Sequence, residues 1–238
     1  MCGRYTLTTP GGRALAERFV LADPDAIEPE TLGRFNVCPT EPVAVAIADD
    51  EQRAARTMRW GLVPPWAREL GKGFQPINAR AETAASKAPF AELFERPERR
   101  CLVLADGWYE WLKAERPSRP PGERLPFRYT VDDGGPFAFA GLWARRRIGS
   151  ELVHSVCILT CSANAVCAPV HDRMPVVLAG PDEEAAWLAG ETDGLLGPLV
   201  AERCVAAPVN PAVNTAGVEG AQLLVVPPPE EPAQLRLV

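Results

Sequence analysis

Proline is the residue type that most limits how this chain can fold, because 25 prolines are spread over 238 residues. A proline lacks a backbone donor and disrupts a helix interior, so long helices are disfavoured and loops and strand edges are favoured. Between the prolines, short β-rich segments alternate with a few helical ones, without the regular crossover helices of a parallel α/β sheet. The sequence therefore predicts a single α+β domain over residues 1–238. Its core would be a bent antiparallel β-sheet or barrel with a few flanking helices.

Local periodicity and turn residues give the individual elements. Helices are expected at residues 9–19, 79–87, 90–96 and 182–189. Strands are expected at residues 43–48, 56–61, 100–105, 107–113, 127–131, 137–143 and 153–161. A polar turn at 49–51, a proline-rich loop at 116–123 and a proline-rich tail from residue 227 complete the prediction.

Composition restricts the class of protein. No apolar run approaches the roughly 18 residues of a membrane-spanning helix, and no charged-then-apolar leader is present. We therefore expect a cytoplasmic monomer with no membrane partner. Seven cysteines is an odd number without a close CxxC pair, which argues against a disulfide framework. The net charge of −6 argues against a general nucleic-acid binder, although a local basic groove is compatible with it.

The most reactive feature of the sequence is Cys2, which directly follows Met1. Methionine is normally removed before a residue this small, so we expect the mature chain to begin at Cys2. An α-amine with a pKa of about 7.7–8.0 and a thiol then lie on adjacent carbons. Such a 1,2-aminothiol attacks an aldehyde twice: the amine forms a Schiff base and the sulfur closes a thiazolidine. The alternative is an ordinary residue in a frayed terminus.

Three further segments are too polar, or too rich in aromatic residues, to be only scaffold. Asn78 lies two residues before Arg80, and its alternative role is that of a helix N-cap. Glu110 lies among the aromatic residues of 105–111, a setting that desolvates a carboxyl group and raises its pKa toward acid–base use. The alternative for Glu110 is a strand residue that faces solvent. His171 precedes an aspartate and an arginine, where bracing of a loop is the alternative.

Taken in this order, these segments resemble the SOS response-associated peptidase (SRAP) family across nearly the whole chain. The resemblance is carried by Met-Cys-Gly-Arg-Tyr at 1–5, Arg-Phe-Asn-Val at 34–37 with Pro39, Trp-Gly-Leu at 60–62 with Pro64 and Trp66, Ile-Asn-Ala-Arg at 77–80 with Glu-Thr at 82–83, Ala-Asp-Gly-Trp-Tyr-Glu-Trp at 105–111, Leu-Thr at 159–160, His-Asp-Arg-Met-Pro at 171–175 and Val-Asn at 209–210.

The resemblance implies a sensor of abasic sites in single-stranded DNA, without a cofactor or metal. Cys2, freed of Met1, would form a stable thiazolidine crosslink with the ring-opened abasic sugar and so shield the lesion. Crosslink reversal, a competing AP-lyase reaction and a thiol autopeptidase activity are also implied. Asn78 would position the Cys2 backbone or the sugar, Glu110 would shuttle protons, and His171 would hydrogen-bond the sugar hydroxyls or the departing oxygen. Phosphates and flanking bases would be held by Arg4, Asn36, Trp66, Arg80 and Thr160.

The chain departs from the usual pattern of this family at Cys38, where a small residue is common before Pro39. This second thiol puts the attribution of all thiol reactivity to Cys2 in question. Because Met1 alone precedes Cys2 in the sequence, a peptidase acting on its own chain would have almost nothing to remove.

Two other classes of protein share part of this pattern. Class II glutamine amidotransferases also begin Met-Cys-Gly, but they need an Asn-Gly oxyanion hole, and the sequence contains no Asn-Gly pair. A zinc-binding module would use Cys157, Cys161, Cys167 and His171. Structural zinc sites usually place such cysteines on turns, whereas Cys157 and Cys161 fall in an apolar segment, where buried cysteine is a small hydrophobe.

Overall fold

The computed structural model describes residues 2–49, 52–113 and 124–226. Met1, the centre of the turn at 49–51, the loop expected at 116–123 and the tail from residue 227 lie outside these ranges. Strands are the most frequent regular structure among the described residues, which also include four short α-helices. None of these helices has the length and the apolar character that crossing a membrane requires.

The elements are named in chain order. The strands are β1 (Tyr5–Leu7), β2 (Arg34–Val37), β3 (Pro42–Asp49), β4 (Gln52–Trp60), β5 (Asn78–Arg80), β6 (Arg100–Ala105), β7 (Gly107–Lys113), β8 (Arg124–Val131), β9 (Phe137–Ile148), β10 (Glu151–Ser162), β11 (Arg173–Pro175), β12 (Val177–Leu178) and β13 (Cys204–Pro208). The helices are α1 (Gly12–Phe19), α2 (Ala81–Ala84), α3 (Ala91–Phe94) and α4 (Pro181–Ala189).

Five of the strands close into a barrel. The order is β10-β4-β3-β6-β9, and β9 pairs with β10 to complete the ring. Every pairing in the ring is antiparallel except β10 with β4. Closure removes the free edges that an open sheet would expose. The expected α+β fold with a barrel-like antiparallel core is confirmed, and the parallel contact is an addition to it.

The remaining strands form a second sheet and three extensions of the barrel. The second sheet has the order β13-β8-β7-β1-β2 and is antiparallel throughout. β5 continues along β10 in parallel after β4 ends, β11 pairs antiparallel with the end of β10, and β12 pairs with β9. The end of β10 therefore collects segments from three distant parts of the chain.

Aromatic side chains join the second sheet to the barrel. Tyr5 of β1 contacts Trp60 and Phe139 of the barrel, with ring centroids 5.3 and 5.7 Å apart. Trp108 of β7 lies edge-on to Phe139 at 6.3 Å and stacks on Tyr129 at 5.3 Å. All five rings are buried. Rings of this size bury a large apolar area. Their contacts therefore hold β1, near the start of the chain, and β7 against the barrel.

The segment after residue 77 differs from its prediction. A helix was expected over 79–87, but Asn78–Arg80 form β5, paired with Ile158–Thr160 of β10, and α2 begins only at Ala81. Tertiary pairing overrides local helix preference here. The interpretation of Asn78 as a helix N-cap is therefore wrong, because that position belongs to Arg80 and carries no side-chain cap.

Candidate active site

Cys2 is held in the interior at the start of β1. Its side chain is buried, and its carbonyl oxygen accepts a hydrogen bond of 2.6 Å from Asn78 Nδ2. The Cys2 Sγ lies 3.8 Å from the Arg4 carbonyl oxygen. Cys2 lies three residues before β1, which pairs with β2 on one side and β7 on the other and so restrains the short segment that precedes it. The frayed terminus considered from the sequence is not what the structure contains.

Glu110 is brought beside Cys2 by the pairing of β1 with β7. Tyr5 lies opposite Trp108, and the Tyr109 N–H donates to the Arg4 carbonyl at 3.0 Å, so the next residue of β7 faces the start of β1. The Glu110 side chain is only 3% exposed, which excludes the alternative of a solvent-facing strand residue.

The aromatic neighbours of Glu110 are not those that the sequence indicated. Side chains alternate across a strand, so Glu110 shares its face with Trp108, while Tyr109 and Trp111 point to the opposite face. Tyr109 and Trp111 pack there in a separate apolar cluster that includes Val209. Burial of the carboxyl group is as expected, but it comes from the core between sheet and barrel rather than from adjacent aromatic residues.

Burial also changes the pKa values of the Glu110 carboxyl group and the Cys2 thiol. Desolvation raises the pKa of Glu110 to about 7, and the Asp172 carboxylate adds to the rise. Desolvation raises the pKa of the Cys2 thiol far above its usual range, with the charge of Glu110 as the second cause. Near neutral pH the thiol is therefore protonated, while the carboxyl group is divided between its acid and its base forms. A carboxyl group in this state can both give and take a proton.

His171 lies in the loop that precedes β11. Its N–H donates to the Cys167 carbonyl at 3.0 Å, and its Nδ1 accepts from the Arg173 N–H at 3.0 Å. The Asp172 carboxylate lies 2.9 Å from the same nitrogen. A neutral ring that accepts at Nδ1 carries its proton on Nε2. The loop-bracing alternative is thus correct for Nδ1, and the bracing sets the orientation of the ring.

Sequence reasoning did not identify an ion pair that fixes this loop. Arg173 of β11 donates to both carboxylate oxygens of Glu82 in α2, at 2.6 and 2.8 Å. The Arg173 guanidinium also reaches the carbonyl oxygen of Thr160 on β10. A two-pronged contact of this kind fixes orientation as well as distance. Both residues stand in motifs that the sequence singled out, but a separation of 91 positions gives no local signal of their contact.

The predicted DNA-binding residues divide into interior and surface positions. Asn36 is buried, receives a 2.7 Å hydrogen bond from Arg4 and donates to the carbonyl oxygens of Thr215 and Val218. Thr160 is buried too, with Oγ1 3.3 Å from the Ala79 carbonyl oxygen. Neither side chain is accessible to a nucleic acid in this structure.

Arg4 is partly buried and so lies between the interior and the surface positions. Its Nη1 donates to Asn36 and to the Val213 carbonyl, each at 2.7 Å. Its guanidinium lies 5.8 Å from the ring centre of Trp111. These contacts tie the start of β1 to the segment that follows β13, so Arg4 has a structural task whatever else it binds.

Trp66 and Arg80 are the predicted DNA-binding residues at the surface. Arg80 is exposed at the end of β5, two residues from Asn78. Trp66 is 55% exposed and lines a shallow cleft of about 240 Å³ together with Phe74, which is 59% exposed. Exposed rings of this kind provide stacking surfaces for bases. Phe74 was not identified from the sequence, because a single phenylalanine in a glycine-rich loop resembles any buried apolar residue.

The other cysteines do not form a zinc site. Cys157 and Cys161 are four residues apart on β10, a distance of about 13 Å along a strand. Cys167 Sγ lies instead 3.8 Å from Cys204 Sγ. Across the ranges that the structure describes, no three His, Cys, Asp or Glu residues are arranged to hold a metal ion. Cys38 is buried, with its Sγ 3.3 Å from the Asn36 carbonyl oxygen.

Comparison with known proteins agrees with this geometry. Residues 1–216 match the family model described as SOS response associated peptidase (SRAP). The chain is 33% identical over 222 residues to the abasic site processing protein YoqW of Bacillus subtilis, covering 90% of this chain and 95% of that protein. It is 30% identical over 232 residues to the abasic site processing protein YedK of Escherichia coli, covering 94% of this chain and 99% of that one.

A solved structure supports the same fold. A protein from Bacteroides thetaiotaomicron is similar with a TM-score of 0.73, over 89% of this chain and 93% of that one. Its sequence is 21% identical, so the likeness concerns the fold alone.

Proposed function

This chain belongs to the SOS response-associated peptidase family, and from that premise we propose that it forms a covalent crosslink with abasic sites in single-stranded DNA through Cys2. Two of its relatives are named abasic site processing proteins. The observation that carries the proposal is the position of Cys2: it is buried, held through its carbonyl by Asn78, and adjacent to a carboxyl group with a pKa of about 7.

The first step is attack by the α-amine that removal of Met1 would expose on Cys2. The amine nitrogen forms a bond to the aldehyde carbon of the ring-opened sugar, and the carbonyl oxygen takes a proton to give a carbinolamine. Loss of that oxygen as water requires a second proton, which Glu110 in its acid form supplies. The product is a protonated imine, and Glu110 is left as a carboxylate.

The second step is ring closure by sulfur. Cys2 Sγ bonds to the imine carbon, its proton passes to the newly formed carboxylate of Glu110, and the ring nitrogen keeps its proton. A five-membered thiazolidine results, with one water released overall. The high pKa of the buried thiol suits this order, because the thiol remains protonated and unreactive until the carboxylate that can deprotonate it has been generated.

Asn78 and His171 position the reactants in this mechanism. The 2.6 Å hydrogen bond from Asn78 to the Cys2 carbonyl fixes the backbone, and therefore the direction of the amine and the thiol. His171, oriented by its own loop, donates from Nε2 to a sugar hydroxyl or to the departing oxygen. Fixing reacting groups at contact distance converts a bimolecular step into an effectively unimolecular one.

DNA contacts are assigned to the accessible residues. Arg80 contacts a phosphate and Trp66 stacks on a base next to the lesion. Arg4, Asn36 and Thr160 support the site from the interior, because their side chains are engaged with protein carbonyl groups. This differs from the direct DNA contacts expected from the sequence.

The same intermediates allow the secondary activities. Protonation by Glu110 would reopen the thiazolidine to the imine and so permit reversal of the crosslink. The imine is also the first intermediate of an AP lyase, so β-elimination would compete wherever ring closure is slow. The peptidase activity named in the family description would use the same Cys2 thiol.

Mixing the purified protein with a single-stranded oligonucleotide that carries one abasic site tests the proposal. We expect a protein–DNA band that withstands heat and detergent without added borohydride. The matched control carries a tetrahydrofuran analogue, which has the shape of the abasic sugar but cannot open to an aldehyde. An equally strong band with the analogue, or no covalent product with the true abasic site, would overturn the proposal.

A further inference from the structure

A second cleft lies apart from the reactive centre, on the side of the barrel formed by β9. It has a volume of about 160 Å³, and segment 62–65 forms part of its wall. Four arginines from two parts of the chain converge on it. These are Arg96 and Arg99, which flank the turn before β6, and Arg145 and Arg146 of β9. We call this feature the arginine cleft.

The charge of the arginine cleft is largely uncompensated. Arg99, Arg145 and Arg146 form no ion pair with any carboxylate in the described parts of the chain. One carboxylate lines the cleft, that of Glu92, and it pairs with Arg96 at 3.5 Å in an exposed contact. Such a contact contributes little and is easily exchanged. Three guanidinium groups without a carboxylate partner in one cleft are unexpected on a chain with a net charge of −6.

The pKa of a histidine next to the cleft is affected by the same positive charges. His154 of β10 lies opposite Arg145 of β9 in the sheet register. Burial lowers the pKa of His154, and the charges of Arg145, Arg56 and Arg99 lower it further. A further positive charge is therefore disfavoured at this position, which is the condition under which an anion is attracted. The Arg99 guanidinium also lies 4.7 Å from the ring centre of Trp143, which holds it in place.

Segment 62–64 connects the arginine cleft to the reactive centre. The Leu62 N–H donates to the Pro76 carbonyl, two residues before Asn78, and the Val63 N–H donates to Ser155 Oγ. Pro64 lines both the arginine cleft and the neighbouring cleft of Trp66 and Phe74. Along β10, the partner of Asn78 is three residues from the partner of Ala144, about 10 Å in a strand. A chain a few nucleotides long spans this distance.

We propose that the arginine cleft binds the phosphate backbone of the single strand flanking the lesion, a few nucleotides from the sugar that reacts with Cys2. The assignment rests on the proposed function for the position of the lesion, but the cleft itself acts on any single strand. Bases next to the lesion stack on Trp66 and Phe74, and the backbone then continues into the cleft. Arginine is suited to this role because its planar fork donates to two phosphate oxygens at once.

The test compares two double variants that remove the same charge. Arg145→Ala/Arg146→Ala empties one side of the cleft, whereas Arg13→Ala/Arg124→Ala removes two exposed arginines that line neither cleft. Binding to fluorescent single strands without an abasic site is measured by anisotropy over a range of salt concentrations. The strands have about 20 nucleotides, which is beyond the span of a typical single-strand site.

The expected result is a loss of affinity of roughly tenfold for these strands in the cleft variant. The slope of log K against log salt should become shallower by about 1.4, since each phosphate contact on a single strand contributes about 0.7. The control variant should bind nearly as well as the wild type. Equal losses in the two variants, or an unchanged salt slope in the cleft variant, would overturn the proposal.

Crosslinking separates this inference from the proposed function. With a saturating short abasic oligonucleotide, the cleft variant should form the covalent product at the wild-type rate. If the cleft variant crosslinks at the normal rate and its salt slope is unchanged, the arginine cleft does not bind the DNA, and the proposed chemistry still holds. If the salt slope changes but the protein forms no crosslink, the cleft still binds single strands, and the proposed chemistry is wrong.

Discussion

Two buried carboxyl groups on the same stretch of chain have opposite surroundings. Asp106 stands at the turn into β7 and Glu110 in the middle of β7, and they are 2% and 3% exposed. One is surrounded by donors and a positive charge, while the other has its pKa raised to about 7 by desolvation. Burial alone therefore does not decide what a carboxylate does; the groups placed around it do.

Asp106 is held by partners from β1, from the residue that follows β1, and from β8. Its carboxylate accepts from the hydroxyls of Thr6 and Thr8, each at 2.6 Å, and from Arg128 Nη2 at 3.0 Å. Gly107 makes this possible, because a Cβ there would lie 2.6 Å from Arg128 Nε. A charge that is paired and hydrogen-bonded in this way can be buried at a tolerable cost. Asp106 thus joins β1, β7 and β8.

Glu110 instead faces the start of β1 and the loop of His171. Desolvation is the largest cause of its raised pKa and the Asp172 carboxylate adds to the rise, while the charge and the hydrogen bond of the amino terminus oppose it. The acid form is therefore populated near neutral pH, as proton transfer requires. In the proposed mechanism, this difference separates a structural carboxylate from a reactive one.

Replacing Asp106 should have the largest effect on stability. Asp106→Ala removes a charge and leaves the Arg128 guanidinium and two threonine hydroxyls without their partner, so we expect a loss of about 3–5 kcal/mol. Glu110→Ala removes a carboxylate that burial disfavours and should lose far less at pH 8. Urea unfolding followed by tryptophan fluorescence measures both. Similar losses for the two variants would contradict the division into structural and reactive carboxylates.

The second prediction concerns stability against pH. The folded-state pKa of Glu110 is about 7 and its ordinary value is 4.5. Its contribution to stability is therefore fully present below pH 4.5 and is lost as the pH rises through 7. Glu110→Gln is neutral throughout, so its stability relative to the wild type should increase between these limits, by about 3 kcal/mol at most. A difference independent of pH between 4 and 8 would show that Glu110 ionises normally.

The third prediction concerns the chemistry of Glu110. Glu110→Gln keeps the shape of the side chain but cannot carry a proton, so crosslink formation and release should each slow by about 100-fold. Affinity for undamaged single strands should change little, because the side chain is buried. Rates measured between pH 5 and 9 should also lose their inflection near 7. Wild-type rates with the inflection intact would make His171 the first candidate for the proton shuttle.

His171→Ala provides the matched comparison. The imidazole positions the sugar in our proposal, so its loss should slow attack by about tenfold and preserve the shape of the pH profile. Loss of the pH inflection in this variant, rather than in Glu110→Gln, would exchange the two roles.

The smallest expected effect is that of Arg80→Ala. Removing one guanidinium that binds phosphate at the surface should weaken binding to normal and abasic single strands alike, by a few-fold, and reduce the salt slope by about 0.7. The free energy of unfolding of this variant should equal that of the wild type, because Arg80 is exposed, in contrast to the buried Asp106. An unchanged salt slope would place the DNA path elsewhere.

The motif at 105–111 shows how much the sequence could predict. An aromatic-rich strand after a buried one predicted that Glu110 would be buried, and this is confirmed by its 3% exposure. The sequence did not separate the roles of Asp106 and Glu110. The partners of Asp106 come from Thr6, about 100 positions away, and from Arg128, on the next strand. Local patterns contain no information about such pairings.

The region around Asn78 shows what could not be predicted. Helix preference was strong after residue 78, and only the parallel pairing with β10 converts Asn78–Arg80 into a strand. That pairing directs the Asn78 side chain to the Cys2 carbonyl. It also buries Thr160 in the centre of the sheet, so a residue that the motif indicated for DNA binding lies in the interior. Accessibility is a property of the assembled sheet and not of a motif.

The central claim is that both nucleophiles of Cys2 react with one carbon of the abasic sugar. The most direct measurement is mass spectrometry of the complex formed without borohydride, after digestion of the DNA and the protein. We predict a peptide that begins at Cys2 and carries the sugar remnant, with a mass one water below the sum of its parts and a sulfur that no longer reacts with iodoacetamide. A remnant on Cys38 or on a lysine, or a Cys2 thiol that is still alkylated, would contradict the account.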